Sequence, residues 1–231
     1  MIIPRIYSIH DRAITIEFSQ TIDEHINMQV FAWQQEIESN PFPGFIECVP
    51  AYSSLTIYFD ADCNIEEFKN QLQHKINIVE NTTPLNITEK KQGVQPIEIP
   101  VCYEIEFGFD LPWLTSHLNM SIEEIIQLHI KNIYRVYMIG FIPGFPYMGI
   151  LPPKLVAPRK QHPSLKIPAG SIGIAGKQTG IYPTDIPGGW QIIGRTPLTI
   201  FNKLNESTCL LKAGDNVRFI PISKKEFDQF Q

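Results

Sequence analysis

The sequence has little that would suit it to a membrane or to nucleic acid. No apolar run approaches the roughly 18 residues of a membrane-spanning helix, and the first residues show no signal-peptide pattern. The 231 residues carry a net charge of −5. Because nucleic-acid binding generally requires a basic face, this balance argues against that class of partner. We therefore expect neither a membrane nor a nucleic-acid partner.

Cysteines are few and far apart, and the usual site motifs are missing. The four cysteines form no C-x-x-C pair, and they stand at Cys48, Cys63, Cys102 and Cys209. Reduced thiols in a reducing compartment fit this spacing better than a zinc site or a disulfide framework, so we predict a cytoplasmic protein. The sequence contains no H-E-x-x-H, no P-loop and no G-x-S-x-G, so no metal site is predicted.

The first 82 residues have the pattern of a small α+β domain. Alternating apolar residues predict strands at Arg5–Ile9 and Ala13–Ser19, and apolar residues at helical spacing predict a helix over Ile22–Ile37. Thr21 and Glu24 fit a capping box at the start of that helix. The same signals predict two more strands and a second helix, at Phe45–Val49, at Leu55–Phe59 and from Asn64 onward.

A polar stretch at residues 83–95 is predicted to link this domain to a second one at 96–231. The second domain is expected to begin with a strand at Ile97–Tyr103. Asp110 is expected to cap a short helix, and Ser121 with Glu124 to form a capping box for another. Beyond residue 140, short strand-like runs alternate with glycine and proline, which is typical of a β-rich barrel or sandwich.

The segment Gly140–Phe201 differs from the rest of the chain in composition and in charge. It holds 10 of the 14 glycines and 10 of the 19 prolines. Its net charge is +5, whereas the remainder carries −10. Glycine lets a backbone approach a ligand closely, and freed N–H groups favour anions, so we interpret the segment as a pocket for a small anion. A barrel that needs many turns, with cations scattered over a solvated face, is the alternative.

Individual residues in and near this segment each allow two interpretations. Arg159 and Arg195 suit a carboxylate or phosphate, or bind backbone carbonyl groups as structural arginines. Gln178 and Thr179 could hydrogen-bond a ligand or form a polar turn. Two further residues have the same ambiguity: Trp190 could be a pocket floor or a core residue, and His129 a general base or a packing residue.

Four runs in this segment resemble one known family. They are GFIPGFPYMG (Gly140–Gly149), IPAGSIGIAG (Ile167–Gly176), QTGIYP (Gln178–Pro183) and PGGWQIIGRTP (Pro187–Pro197). They are similar to the 5-oxoprolinase B subunit, a family that includes the sporulation kinase inhibitor KipI. The resemblance covers essentially the whole chain. Three departures stand out, at His10, at Ser164, where the family often has a second Pro-Arg, and at Lys166, where arginine is frequent.

The resemblance implies a fold, an activity and partners. The fold is an α+β N-terminal domain followed by a mainly β, cyclophilin-like barrel. The activity is ATP-dependent opening of 5-oxoproline to glutamate, with ATP (and Mg) as co-substrate, no tightly bound cofactor, and partner subunits A and C of the same 5-oxoprolinase. A KipI-like inhibitor of a histidine kinase is the main alternative, and prolyl isomerisation is a third that rests on fold alone.

The resulting hypothesis assigns a role to each candidate residue. Arg159 and Arg195 bind anionic groups, and His129 is the candidate acid or base. The remaining candidates orient the substrate or line the pocket: Gly144, Gly173, Gln178, Thr179, Tyr182 and Trp190. One exposed apolar face is expected to contact the C subunit, or else to form a buried cluster, and it comprises Phe141, Phe145, Tyr147 and Met148.

Overall fold

The computed structural model describes residues 4–60, 63–82, 95–204 and 207–230. The chain divides into two compact units, residues 1–94 and 95–231. Except for Gln95, the predicted linker at 83–95 lies outside the described residues. Each unit has its own hydrophobic core, so each is described separately.

The first unit is a four-stranded antiparallel sheet with two helices. The strands lie in the order β1-β2-β4-β3. Apolar residues that alternate along the central strands pack against the apolar faces of both helices, which builds the core. The elements are β1 (Arg5–His10), β2 (Ala13–Glu17), α1 (Glu24–Ser39), β3 (Phe45–Pro50), β4 (Ser54–Phe59) and α2 (Ile65–Thr82).

The cap of α1 differs from the predicted one. The Asp23 carboxylate, rather than the Thr21 hydroxyl, accepts the N–H of Ile26 at 3.0 Å. The predicted capping box is therefore wrong, because Asp23 stands at the N-cap and satisfies the orphan donor of the first turn. The predicted start of α2 is confirmed, since the Asn64 side chain accepts the N–H groups of Glu66 and Glu67.

The second unit contains a closed seven-stranded barrel, which confirms the predicted mainly β architecture. The barrel strands are β5 (Ile97–Cys102), β6 (Ile133–Ile139), β7 (Pro146–Gly149), β9 (Ser171–Ala175), β10 (Gln178–Ile181), β12 (Gln191–Arg195) and β13 (Asn216–Ile222). Their order around the barrel is β10-β7-β6-β13-β5-β12-β9, and β13 pairs with β5 in parallel. Two short strands, β8 (Ser164–Ile167) and β11 (Ile186–Gly188), form a separate two-stranded sheet.

Within the described residues, three α-helices accompany the barrel: α3 (Leu111–Leu118), α4 (Ile122–Ile130) and α5 (Lys224–Asp228). A single 3₁₀ turn forms at Pro153–Leu155. The predicted capping box of Ser121 and Glu124 is confirmed, with both reciprocal bonds present. The predicted short helix with Asp110 at its N-cap position is confirmed, but the Asp110 carboxylate makes no cap bond. The four cysteines are free thiols. Among the described residues, no helix is long and apolar enough to cross a membrane.

Candidate functional site

A second, smaller apolar cluster lies on the outer face of the barrel, and we call it the outer cluster. Alternation along β9 turns Ile172 and Ile174 into the barrel core and Gly173 and Ala175 outward. Strands, loops and the β8–β11 pair all contribute to it. Its buried members are Phe145, Ile167, Ala175, Tyr182, Trp190 and Ile192.

The rings of the outer cluster meet edge to face. Phe145 lies 5.2 Å from Tyr182 and 5.5 Å from Trp190, centroid to centroid, at nearly right angles. Tyr147 adds a further edge contact with Trp190 at 5.8 Å. Such contacts fix ring positions beyond what burial alone does. Trp190 is thus a packed core residue of the cluster, with 5% of its surface exposed.

Two tyrosine hydroxyls at the edge of this cluster lie within the electrostatic influence of one arginine. Burial raises the pKa of Tyr182 to about 12, while a backbone hydrogen bond from Trp190 and the charge of Arg159 lower it. Burial also raises the pKa of Tyr147, and Arg159 again lowers it. Arg159 therefore lies near both phenols, which keep their protons at neutral pH. Its own side chain is exposed, and its guanidinium forms no hydrogen bond or ion pair with another described residue.

Beside Arg159 lies a partly buried ion pair. Lys160 Nζ is 2.6 Å from Asp110 Oδ2, and both side chains are only 15% exposed. The same ammonium donates to the Ser164 hydroxyl at 2.9 Å. Ser164, where the resembled family often has arginine, thus accepts a hydrogen bond from a neighbouring cation. The negative charge of Asp110 also contributes to raising the pKa of Tyr182, so this pair adjoins the tyrosine edge.

Arg195 has a different environment from Arg159. Its Nε donates to the carbonyl oxygen of Ala169 at 2.7 Å, and its side chain is half-buried at the end of β12. Nearby, Lys166 pairs with Asp185 at 2.9 Å, and this hydrogen bond with that from the Ala169 N–H lowers the pKa of Asp185. The geometry of Arg195 therefore matches the carbonyl-binding alternative that the sequence had left open.

His129 lies inside the barrel unit and is fully buried. Its Nδ1 is 2.9 Å from the Tyr103 hydroxyl, and its Nε2 is 3.1 Å from the Thr179 hydroxyl. Thr179 in turn donates to the Gly173 carbonyl at 3.1 Å, so Nε2 carries the ring proton and Nδ1 accepts. Burial lowers the pKa of His129 to about 3. The acid–base role proposed for His129 thus has no solvent access in this geometry and stays a prediction.

The two glycines proposed to line a pocket are surrounded by side chains of this chain. A Cβ at Gly173 would lie 3.0 Å from Trp190 Cβ and 3.3 Å from Tyr182 Cε2. Gly144 has φ +82°, and a Cβ there would lie 2.5 Å from Phe201 Cβ. Both positions need glycine for packing. Whether either also faces a ligand stays a prediction.

The structure therefore does not gather the candidate residues in one place. Tyr182, Trp190 and Gly173 meet in the outer cluster with Arg159 at its edge. His129 and Thr179 share the barrel interior. Gln178 and Arg195 stand at opposite ends of β9, opposite Ala175 and Ser171 respectively.

The expected apolar face at the start of this segment does not form a single surface. Phe141 is 73% exposed, whereas Phe145 and Met148 are buried, Met148 in the barrel core. Neither expected alternative, one exposed face or one buried cluster, holds for all four residues, because alternation along β7 sends Met148 inward and its neighbours outward.

Sequence reasoning missed the Asp110–Lys160 pair. Asp110 was assigned to a helix cap, and Lys160 entered only the charge count. The two residues are 50 positions apart, and no local pattern links them. An open depression of about 950 Å³ in the first unit was also not predicted, and it is lined mainly by polar residues, among them Asn40, Asn64, Glu67 and His74.

Comparisons with known proteins agree on one family. Residues 4–211 match the model of the carboxyltransferase domain, subdomain C and D. The 5-oxoprolinase B subunit of Bacillus subtilis (strain 168) is 41% identical over 98% of this chain and 96% of its own. That of Escherichia coli O157:H7 is 34% identical over 94% and 95%. The crystal structure of TTHA0988 superimposes with a TM-score of 0.78 at 34% identity, over 92% of this chain but only 40% of that one.

Proposed function

The chain belongs to the family of 5-oxoprolinase B subunits, and on that basis we propose that it is one subunit of an ATP-dependent enzyme that opens 5-oxoproline to glutamate. The observation that carries the proposal is the match to relatives of that name over nearly the full length of both chains. The names of these relatives do not favour the kinase-inhibitor alternative. A cytoplasmic setting, a cyclophilin-like barrel, and partner subunits A and C belong to the same proposal.

The reaction sets clear demands on a site. The carbonyl of a lactam is stabilised by resonance and is a poor electrophile. Phosphorylation of its oxygen by ATP would make it a better one, which water could then attack. The substrate carboxylate and the transferred phosphoryl group are both anionic, so the site needs cations and hydrogen-bond donors that stabilise their charge.

The edge of the outer cluster supports an oxyanion-binding role. Arg159 offers an exposed guanidinium without a partner among the described residues, and its planar fork matches a carboxylate or a phosphate. Tyr147 and Tyr182 are neutral phenols close to it. Packed in or against the aromatic cluster, the two phenols would lose little conformational entropy when an anion binds. We propose that Arg159 binds the substrate carboxylate and that Tyr182 orients it.

The roles of the remaining groups are also proposals, and fewer observations support them. ATP with Mg is the proposed co-substrate, and Lys154 and Lys177 are exposed cations of the same segment that could meet its phosphates. Gln178 is half-buried at the start of β10. The polar groups of His129, Thr179 and Arg195 bond within this chain, so for these residues we propose a supporting role in place of the acid–base, orienting and anion-binding roles that the resemblance implied.

The decisive experiment measures ATP-dependent release of glutamate from 5-oxoproline, with this chain and its partner subunits A and C present. Arg159→Ala is expected to lower kcat/KM at least tenfold, about 1.4 kcal/mol, through a raised KM. Arg218→Ala is the matched control. Arg218 lies on β13, on the far side of the barrel from β9 and β10, and the one ion pair of its guanidinium within the described part of the chain is with Glu98 at 3.9 Å.

Three outcomes separate the alternatives. Absence of glutamate release with all subunits present would overturn the proposed reaction. If Arg159→Ala and Arg218→Ala both stay within about twofold of the parent, the site assignment is wrong although the reaction stands. Capture of a histidine kinase by this chain, with loss of kinase autophosphorylation and no glutamate release, would favour the inhibitor.

A further inference from the structure

Arg159 is exposed, yet the segment that carries it is fastened on both sides. Before it, the Gly176 N–H donates to the Ala157 carbonyl at 2.7 Å. The Gln191 side chain donates to the Pro158 carbonyl at 3.1 Å. These bonds attach one side of the segment to β9–β10 and to β12, which are the strands that carry the outer cluster.

Behind Arg159, the fastening falls on Lys160. Its N–H donates to the Gly189 carbonyl at 2.7 Å, next to Trp190. Its ammonium meets the Asp110 carboxylate at 2.6 Å, with 15% of either side chain exposed. The Lys160–Asp110 contact is an ion pair, whereas the other three bonds of the segment are neutral hydrogen bonds.

Asp110 makes this contact in place of the one its position suggests. An aspartate at an N-cap normally accepts an N–H of the first helical turn. Here the carboxylate makes no such bond, and Oδ2 accepts instead from the Ile192 N–H at 2.7 Å and from Lys160. The Asp110 N–H also donates to the Ile192 carbonyl at 3.0 Å. Asp110 is therefore joined to the backbone of β12 by two hydrogen bonds and to the Arg159 segment by its charge.

We propose that Asp110 and Lys160 are positioning residues, which hold Arg159 against the tyrosine edge of the outer cluster and thereby set its affinity for an anionic substrate. The second part rests on the proposed function, whereas the first is a statement about the chain alone. The position of Tyr182 fits both parts, since it is close enough to Asp110 and to Arg159 to respond to both charges. A partly buried pair with an additional N–H bond is costly to break by removing one partner.

The chain supplies its own control for the pair. Lys166 and Asp185 form a second Lys–Asp contact in the same unit, at 2.9 Å, but their side chains are 70% and 48% exposed. Exposed pairs contribute little, because solvent screens them. Asp110→Asn and Asp185→Asn therefore make the same chemical change in a partly buried and in an exposed pair. Asn keeps an oxygen that can still accept the Ile192 N–H.

Limited digestion with trypsin tests the positioning without any ligand. Trypsin cleaves after Arg159 and Lys160, both of which remain in Asp110→Asn. We expect the rate of cleavage there to rise about tenfold in Asp110→Asn and to stay within about twofold in Asp185→Asn. Lys160→Gln leaves the bond after Arg159 cleavable and should act in the same direction. Rapid cleavage at many other sites would mark global unfolding, so cleavage after Arg218 is followed in the same digest.

The catalytic arm uses the complex with partner subunits A and C. Asp110→Asn is expected to raise the KM for 5-oxoproline about tenfold with kcat changed less than about threefold. In an Arg159→Ala background the same substitution should add less than about twofold, because its effect passes through Arg159.

The two arms fail separately. Cleavage after Arg159 that stays within twofold of the parent in Asp110→Asn overturns the proposal, as does an effect on KM that is undiminished in Arg159→Ala. If Asp110→Asn raises cleavage after Arg159 tenfold but leaves the KM for 5-oxoproline unchanged, the positioning is supported and the proposed use of Arg159 is contradicted.

Discussion

The barrel interior around His129 and the edge of the outer cluster around Tyr182 both place polar groups among apolar side chains. In the interior, one chain of hydrogen bonds runs from the Tyr103 hydroxyl through both nitrogens of His129 to the Thr179 hydroxyl and the Gly173 carbonyl. At the outer edge, the same kind of phenol stands beside a guanidinium without a partner among the described residues. A satisfied network stabilises one structure, whereas an unsatisfied exposed cation is available to a ligand.

This difference separates residues that the resembled motifs had grouped together. Thr179 and Tyr182 are three positions apart in one motif, but Thr179 faces the interior chain and Tyr182 the outer cluster. Substitutions in the interior should therefore act mainly on stability. Substitutions at the edge should act mainly on substrate affinity.

The largest effect is expected from His129→Ala. It leaves the buried Tyr103 hydroxyl without an acceptor and opens a cavity between Tyr134 and Phe219, whose rings stack on the imidazole. We expect a loss of about 3 to 4 kcal/mol in the free energy of unfolding. Guanidinium unfolding followed by tryptophan fluorescence measures it. A Trp33→Phe background limits the signal to Trp113 and Trp190, both in the barrel unit.

The matched control is His117→Ala, on the exposed side of α3, where the imidazole stacks on Trp113. A change of less than about 0.5 kcal/mol is expected there. If His129→Ala is within about 1 kcal/mol of the parent, the interior chain does not stabilise the barrel as described.

The next effect is a pH dependence of stability. Burial lowers the pKa of His129 to about 3 in the folded chain, against about 6.5 when unfolded. Below pH 6.5 the unfolded chain therefore binds a proton that the folded chain excludes, so stability falls as the pH drops toward 3. The loss amounts to about 2 to 3 kcal/mol at pH 4.5. Unfolding curves from pH 7.5 to 4.5 measure it.

Other groups titrate in the same range, so the test is a difference. His129→Gln keeps a side chain that can donate and accept, but it has no proton to gain. The stability of the parent and of His129→Gln should converge as the pH falls. Parallel curves across this range would contradict the buried, neutral histidine.

Local patterns explain why part of the fold could be predicted from the sequence. Local sequence patterns identified the strands of the first unit and β5, and the Ser121–Glu124 box fixed the start of α4, because these signals depend on neighbouring residues. Closure of the barrel could not be predicted in the same way. It depends on pairings such as β5 with β13, which are more than a hundred residues apart.

Several residues of the candidate site could be named from the sequence, but their contacts and the part played by Asp110 could not. The sequence around Asp110 fits a helix cap, and a cap was predicted there. In the structure its carboxylate instead accepts the N–H of Ile192, 82 residues away. Arg159 and Arg195 each adjoin a proline or a Thr-Pro turn and could not be told apart. Only the tertiary structure shows that Arg195 donates to a backbone carbonyl, whereas Arg159 is exposed and makes no such bond with a described residue.

The smallest stability effect gives the most direct comparison, because it sets these two arginines against each other. Arg195→Ala removes the bond from Nε to the Ala169 carbonyl and should lower the free energy of unfolding by about 1 to 2 kcal/mol. Arg159→Ala removes no such bond and should change it by less than about 0.5 kcal/mol. The order of their effects on the KM for 5-oxoproline should be the reverse.

Both quantities come from the same two proteins, by unfolding in the Trp33→Phe background and by the glutamate assay with partner subunits A and C. If Arg195→Ala raises KM at unchanged stability, Arg195 contacts the anion, and the site extends to the Ser171 end of β9. If Arg159→Ala destabilises the barrel instead, its exposed guanidinium belongs to the frame. In either case the division between a supporting interior and a binding edge would fail at one of these two arginines. That division rests on the half-buried side chain of Arg195 and its bond to the Ala169 carbonyl, whereas the Arg159 side chain is exposed.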